Sequence, residues 1–233
     1  MKVKISNEVI EKYPNLNIGI IAVKSLDNNQ DSPEVKNLLK QIQLEIKNKF
    51  DLEKVIEIPV VVQWRSIYKS FGAKHSEYRS SIESLLRRIA KKELPNINPL
   101  VNIYNYISLK YLIPVGGEDA DQINGDLILD FALGAEEFVP LGSAKNESPW
   151  PGEVVYKDNQ GIICRCWNWR ESDRAKLNNQ TQNAIIVMEI LNPQEIENLK
   201  AALMETEQLI KKFCGGSTES TVLNRDNLEI NIN

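Results

Sequence analysis

The chain of 233 residues contains a single histidine, His75, and this scarcity excludes more chemistry than any other feature of the composition. A zinc cage built on imidazoles and the H-E-x-x-H protease motif both need more than one histidine. A proton relay between two imidazoles is excluded for the same reason. His75 lies between Lys74 and Ser76 in a segment that reads as a loop, and no acidic cluster has a metal-ligand spacing. We therefore expect neither a metal nor another cofactor.

Cysteine is also scarce, with only Cys164, Cys166 and Cys214 in the chain. An odd number of cysteines, without a signal-like amino terminus, argues against a secreted disulfide framework. The C-x-C spacing differs from the C-x-x-C of redox motifs, so reduced thiols in a core are expected. No stretch reaches the roughly 18 apolar residues of a membrane span. These absences favour a cytoplasmic protein without membrane contact.

The charge of the chain is close to balanced, with 28 Lys and Arg against 32 Asp and Glu, a net charge of -4. Apolar residues make up 42%, as in ordinary globular proteins. Any contact with RNA should therefore be local. Since no linker interrupts the sequence, we predict a single domain over residues 1–216. The polar residues 217–233 are expected to form a loose tail or one edge strand.

The hydrophobic periodicity predicts helices in the first half of the chain and strands in the second half. Helices are predicted after Ser32-Pro33, around 64–71, after Ser80, from Asn98-Pro99 to about Tyr111, and from Asn192-Pro193 to Gly215-Gly216. Strands are predicted near 2–5, 18–23, 126–131, 137–141, 153–156, 161–164 and 184–190. This order of elements indicates an α+β fold.

Three segments carry more polar, aromatic and glycine residues than packing requires. In the first, Tyr104 and Asn105 share a helix face with Val101, either as a ligand-binding face or as a satisfied polar pair in a core helix.

The helix after Ser80 carries basic residues that include Arg87 and Arg88. This face is either a solvated surface or a patch that follows phosphates.

The second segment contains Gly116-Gly117-Glu118-Asp119. Two glycines let backbone N–H groups approach a ligand, and the neighbouring carboxylates can accept hydroxyl or amine protons. A simple turn explains the pattern equally well. The spacing fits neither the Walker motif nor G-x-G-x-x-G, so nucleotide binding gains no support.

The third segment is Trp167-Asn168-Trp169-Arg170, which is followed by Asp173, Arg174 and Lys176. Tryptophan faces stack on bases, while arginine and lysine contact phosphates. The alternative is a strand whose indoles lie inward, with Arg170 paired to Asp173.

Taken together, these segments resemble the B3/B4 domain of the bacterial phenylalanyl-tRNA synthetase beta subunit, and more closely the freestanding proteins built from that domain alone. The matching segments occur in the same order in both and lie at 78–88, 98–105, 112–116, 151–156 and 167–170. The resemblance implies an α+β fold of layered sheets with flanking helices. It also implies binding or hydrolysis of an aminoacyl-tRNA, because the synthetase domain hydrolyses tyrosine wrongly attached to the phenylalanine tRNA.

Under this resemblance the chain is a trans-editing deacylase that hydrolyses the ester of a mischarged tRNA with a positioned water. The side chain of Asn105 and the backbone amides of Gly116 and Gly117 would stabilise the oxyanion. The tRNA acceptor end would be the partner, with its adenine on Trp167 or Trp169. The remaining substrate-binding candidates are Tyr104, Glu118, Asp119, Glu153, Asn168, Arg170, Arg174 and Lys176.

Two positions depart from the synthetase pattern. Tyr104 stands where the synthetase has threonine, and Gly116 stands where it usually has histidine. A changed pocket implies that the domain edits a different amino acid, or that it does not edit. The counterpart of the tyrosine-sensing glutamate is either Glu118 or Glu153. The alternative function is a non-catalytic module that binds tRNA, another RNA, or a small amino-acid-like ligand.

Overall fold

The computed structural model describes residues 1–30 and 32–232, so that Asp31 and Asn233 lie outside the described residues. Its helices are α1 (Asn7–Lys12), α2 (Pro33–Lys49), α3 (Pro59–Ser70), α4 (Ser81–Lys91), α5 (Pro99–Tyr111) and α6 (Ile196–Phe213). Its strands are β1 (Lys2–Ile5), β2 (Asn17–Lys24), β3 (Val115–Asp119), β4 (Leu127–Phe131), β5 (Val154–Lys157), β6 (Ile162–Arg165), β7 (Arg170–Glu171), β8 (Ala184–Ile190), β9 (Ser217–Leu223) and β10 (Glu229–Asn231). The predicted α+β class is confirmed.

The strands form two sheets. The larger sheet has the order β10-β1-β4-β5-β6-β7, and the smaller has the order β3-β8-β2-β9. β1 and β4 run parallel, while the other paired strands are antiparallel. Every residue of β8 is buried. β8 is therefore an inner strand, as its nearly continuous apolar sequence indicates.

Side-chain caps fix where helices α4 and α5 begin. Ser80 accepts a hydrogen bond from the backbone of Glu83 at the start of α4, and Asn98 accepts one from Val101 at the start of α5. Such a cap stabilises a helix by about 1 kcal/mol. Pro99 then occupies the first turn of α5, where its missing N–H costs nothing. α5 packs against α2, α6 and β3 and is buried over most of its length.

Several local predictions were wrong or incomplete. No regular strand forms at 137–141, where Pro140 makes only an isolated bridge to Ser172; proline lacks the N–H that a ladder requires. Gly116 and Gly117 lie inside β3 rather than in a turn. The end of the chain forms two strands, β9 at the edge of the smaller sheet and β10 at the edge of the larger one.

Candidate functional site

A surface cleft of about 280 Å³ brings together residues from all three of the polar segments. Asn105 comes from α5, Gly116 from β3, and Trp169 from the turn between β6 and β7. α4 closes the remaining side with residues that include Ser81 and Arg88. Residues distant in the sequence thus line one concave surface, as small-molecule sites commonly do.

The cleft contains polar groups without partners in the described residues. The hydroxyl of Tyr104 and the side-chain amide of Asn105 make no hydrogen bond there, although both side chains are partly buried. Oγ of Ser81 is fully buried and has no partner either. Because buried polar groups in native proteins are nearly always hydrogen-bonded, these three groups point to a ligand or to ordered water.

Tyr104 remains a hydrogen-bond donor over the whole physiological pH range. Burial raises the pKa of its phenol, and the nearby Glu171 and Glu118 raise it further because they disfavour a second negative charge. The hydroxyl can therefore donate to a carbonyl or an oxyanion. It cannot act as a base near neutral pH.

A small inner cavity of about 20 Å³ lies directly beneath the cleft. Gly116, Asn168 and Glu171 line both the cleft and the cavity. The inner cavity lies between the two sheets, with Glu118 from β3 and Glu189 from β8 on the side of the smaller sheet. Three glutamates therefore surround a space large enough for about one water.

Glu118 and Glu171 form a coupled carboxyl pair in this inner cavity. Their carboxyl groups are within hydrogen-bonding reach of each other, and burial raises the pKa of both. The charge of Glu171 raises the pKa of Glu118 further. Oε2 of each is buried and receives no N–H or O–H from the described residues. Two like charges this close cannot both remain ionised without a counter-charge, so the pair shares a proton.

Glu189 is held by a hydrogen-bond network that reaches the cleft. Tyr156 donates to Oε1 at 2.6 Å, and Nδ2 of Asn168 donates to Oε2 at 2.6 Å. Burial raises the pKa of Glu189 to about 7, although both hydrogen bonds act in the opposite direction. Oδ1 of Asn168 in turn accepts from the hydroxyl of Tyr68 at 3.0 Å. The hydrogen bonds with Glu189 and Tyr68 hold Asn168 in one orientation between the cleft and the inner cavity.

A basic groove of about 590 Å³ adjoins the cleft through Arg88, which lines both. The other cations of this basic groove are Arg79, Arg87, Lys91 and Lys92. Arg88, Lys91 and Lys92 form no ion pair in the described part of the chain. They are available to phosphates.

Glu83 lies on the same helix as Arg88 and Lys91, but it is buried. It accepts two hydrogen bonds from Arg65, at 2.9 and 2.7 Å, and a third from Arg87 at 2.8 Å. These arginines lower its pKa against the effect of burial. Glu83 thus fixes α4 against α3 and neutralises the inner side of the helix.

Trp167 does not present a face to a ligand in the cleft. Left-handed backbone at Cys166 and Trp167, with φ of 45° and 66°, breaks the alternation of the strand. The indole is fully buried against Trp64, Tyr13 and Phe71, with ring centroids 5.4, 5.0 and 6.4 Å away. The expectation that Trp167 stacks on adenine in the cleft is therefore wrong for this conformation; the indole packs in the core and lines the inner cavity.

Trp169 and Arg170 have different positions relative to the cleft. Trp169 lines it and packs edge-on against Tyr78 at 4.7 Å. Arg170 lies outside the lining, with its guanidinium 5.8 Å from the centre of the Trp169 ring. Its hydrogen bond goes to the carbonyl of Leu141, and the alternative pairing with Asp173 is not formed.

Two further predicted cations are engaged away from the cleft. Arg174 donates to Asp158 at 2.9 and 2.5 Å and to the carbonyl of Gln122 at 3.0 Å. Lys176 pairs with Asp173 at 2.9 Å. Neither side chain lines the cleft, so the structure gives no support to their proposed contacts with terminal phosphates.

Asp119, Glu153 and Gly117 serve structure. Asp119 accepts from Thr181 at 2.7 Å and caps the next turn. Glu153 forms a buried bidentate pair with Arg165 at 2.9 and 2.8 Å. Of the two candidates for the tyrosine-sensing glutamate, Glu118 is therefore the one that lines the inner cavity. A Cβ on Gly117 would lie 2.7 Å from Ile186, so this glycine permits close packing.

Sequence reasoning missed Glu171, Glu189 and Ser81. Glu189 carried a usable signal, because a carboxylate in an otherwise apolar buried strand requires an explanation. Glu171 follows the Trp-Asn-Trp-Arg segment directly, but nothing local indicates that it meets Glu118. In the described residues, no group of three or more His, Cys, Asp or Glu side chains is arranged to hold a metal ion. Over the same part of the chain, no helix is long and apolar enough to cross a bilayer.

Comparison with known families supports the predicted resemblance. A model of the B3/4 domain matches residues 63–219, which is more than half of the chain. The protein therefore belongs to the B3/4 domain family, and the expected B3/B4 relationship is confirmed.

One similar solved structure is an N-terminal fragment of the phenylalanyl-tRNA synthetase beta-subunit from Pyrococcus horikoshii. It shares 10% sequence identity with a TM-score of 0.48, and the alignment covers 98% of this chain and 53% of that chain. The present chain thus spans about half the length of that fragment. No curated protein matches the sequence.

Proposed function

We propose that the protein is a trans-acting deacylase that hydrolyses the aminoacyl ester of a mischarged tRNA in the cleft. The observation that carries this proposal is the junction at Arg88. There, a concave site with unpaired polar groups meets a groove with unpaired cations. An aminoacyl-tRNA end has matching chemistry, because a small polar ester is attached to a run of phosphates. The B3/4 family relationship points in the same direction.

Ester hydrolysis in this cleft does not require an imidazole. The aminoacyl ester is already activated, and the neighbouring ribose hydroxyl can assist a water. The protein then has to position the ester and stabilise the oxyanion. The unpaired Tyr104 hydroxyl and Asn105 amide are the donors suited to this task. Gly116 and Gly117 were expected to supply backbone amides; both lie in β3, an edge strand that pairs with β8 on one side only, so the ladder engages the N–H of one of the two.

The rest of the tRNA end fits the rim of the cleft. Trp169, with Arg170 beside its ring, offers a surface for the terminal adenine. Arg88, Lys91 and Lys92 offer charge for the phosphates. These contacts are local, which agrees with a net charge of -4 for the whole chain.

The test is release of labelled amino acid from a panel of mischarged tRNAs by the full chain. We expect release above the buffer rate for at least one tRNA. Asn105→Ala should lower kcat by about 10²-fold, as expected for loss of an oxyanion donor. Gln208→Ala, which removes an exposed amide on α6, should leave the rate unchanged.

Failure of release for every aminoacyl-tRNA would reject the deacylase. If tRNA binding nevertheless persisted and weakened steeply with salt, the protein would be a non-catalytic tRNA-binding module. In that case Arg88→Ala should still weaken binding.

A further inference from the structure

We infer that the inner cavity beneath the cleft binds a primary ammonium group at the end of an unbranched side chain, as in lysine or ornithine. The assignment of this group to the aminoacyl part of a tRNA rests on the proposed function. The binding of the ammonium group itself rests on the inner cavity alone.

The inner cavity presents hydrogen-bond acceptors to a ligand. Glu118 is only 5% exposed. Apart from the proton that the pair shares and the thiol of Cys164, which lies within hydrogen-bonding reach of Glu171, Oε2 of Glu118 and Oε2 of Glu171 receive no donor from the described residues. Carboxylate oxygens accept hydrogen bonds, and an ammonium group supplies three N–H donors. A hydroxyl ligand would supply one donor and would leave a second acceptor unpaired.

The size of the inner cavity also suits an ammonium group. The inner cavity holds about 20 Å³, which suits a group the size of one water. An ammonium group fits this volume, whereas an aromatic ring does not. The cleft above has about 280 Å³ and includes the apolar side chains of Leu85, Val101 and Val115, which suit a methylene chain.

The charges around the inner cavity favour a cation. Three carboxyl groups face the inner cavity, and the other titratable groups near them, Cys164, Tyr104 and Tyr156, stay neutral because burial raises the pKa of each. Among the described residues, the cation that lowers the pKa of Glu118 is Arg174, whose guanidinium is already paired with Asp158.

A proton shared by Glu118 and Glu171 compensates the charge of the pair. A ligand ammonium would take the place of that proton. Binding should therefore release protons and become tighter as the pH rises, because ionised carboxylates bind a cation better than protonated ones.

The experiment is isothermal titration calorimetry of the full chain at pH 8 with L-lysinamide, L-norleucinamide and L-tyrosinamide. All three carry the same α-ammonium, so the comparison of lysinamide with norleucinamide isolates the side-chain ammonium. We expect lysinamide to bind at least about tenfold more tightly than the other two, as for a buried charge pair.

Glu118→Gln and Glu171→Gln should each weaken lysinamide binding about tenfold or more and should leave norleucinamide within about threefold. Glu45→Gln, at an exposed position of α2, makes the same charge change and should alter neither. Circular dichroism shows whether each variant folds. If the two variants do not fold, the comparison of lysinamide with norleucinamide on the unaltered chain still decides whether the protein binds the side-chain ammonium.

Equal affinity for lysinamide and norleucinamide, tighter binding of tyrosinamide, or no binding of any amide would overturn the inference. Release from tRNAs carrying only non-basic amino acids, without binding of lysinamide, would reject the inference and leave the proposed deacylase standing. Glu118-dependent binding of lysinamide without release from any tRNA would reject the deacylase and support the ammonium site.

Discussion

The hydroxyl of Tyr156 donates a hydrogen bond of 2.6 Å to Glu189, and this contact joins the two sheets of the protein. Tyr156 lies on β5 of the larger sheet, and Glu189 lies on β8 of the smaller one. The same carboxyl group accepts from Asn168, which lines the cleft. Packing between the sheets and the position of a cleft residue therefore depend on one buried acid.

Glu189 should make the stability of the protein depend on pH. Its pKa of about 7 in the folded protein is higher than the value of about 4.5 for an unfolded glutamate. The stability contributed by its protonated form is thus fully present below about pH 4.5 and is lost as the pH rises through 7. The shift corresponds to about 3 kcal/mol. Glu189→Gln stays neutral, so its free energy of unfolding should fall less than that of the unaltered chain between pH 4.5 and 8.

Urea unfolding at a series of pH values measures this difference. Tyr156→Phe removes a hydrogen bond that lowers the pKa of Glu189 but keeps the acid, so its pH dependence should be at least as steep as that of the unaltered chain. Parallel stability curves for Glu189→Gln and the unaltered chain would contradict the assignment.

The Glu153–Arg165 pair should be a major structural contact. Both side chains are buried and joined by two hydrogen bonds, so removal of one partner leaves an unpaired buried charge. We expect Glu153→Gln to lower the free energy of unfolding by about 3–5 kcal/mol. The measurement is the urea midpoint at pH 7, with Lys200→Ala, which breaks the exposed pair with Glu197, as the control. A loss no larger than the control's would show that the pair is dispensable.

The two adjacent glycines of β3 should respond differently to alanine. A Cβ at Gly117 would lie 2.7 Å from Ile186 and 2.9 Å from Leu177, and we expect a loss of about 1–3 kcal/mol in stability. A Cβ at Gly116 would lie 3.3 Å from Oε1 of Glu171, so its cost to stability should stay below about 1 kcal/mol. Gly116→Ala should instead impair ligand binding, because the methyl group projects toward the entrance of the inner cavity. Thermal unfolding together with lysinamide titration separates the two effects, and equal destabilisation by both substitutions would contradict this distinction.

The basic groove should give tRNA binding a salt dependence that single substitutions reduce. Each phosphate contact contributes about 0.7–0.9 to the slope of log K against log salt concentration. Arg88→Ala, Lys91→Ala and Lys92→Ala should each lower the slope by about that amount. Arg225→Ala makes the same charge change at an exposed turn outside the lining of the basic groove and should leave the slope unchanged. Identical slopes for all four variants would place the tRNA elsewhere.

Local patterns predicted those parts of the fold that local physics determines. The caps at Ser80 and Asn98 mark the starts of α4 and α5, and the face with Tyr104 and Asn105 follows from helical spacing. β3 was missed because two glycines normally signal a turn, and its pairing with β8 joins residues distant in the chain. No local pattern could predict that strands of different sheets bring Glu118 and Glu171 together.

The central claim is that the cleft holds the aminoacyl ester, and a structure with a non-hydrolysable analogue tests it most directly. The suitable probe is adenosine that carries the aminoacyl group in amide linkage at its 3′ position. We predict that its acyl carbonyl lies within hydrogen-bonding distance of the Asn105 amide, with the adenine against Trp169. An analogue bound outside the cleft, or one that makes no contact with Asn105, would contradict the account.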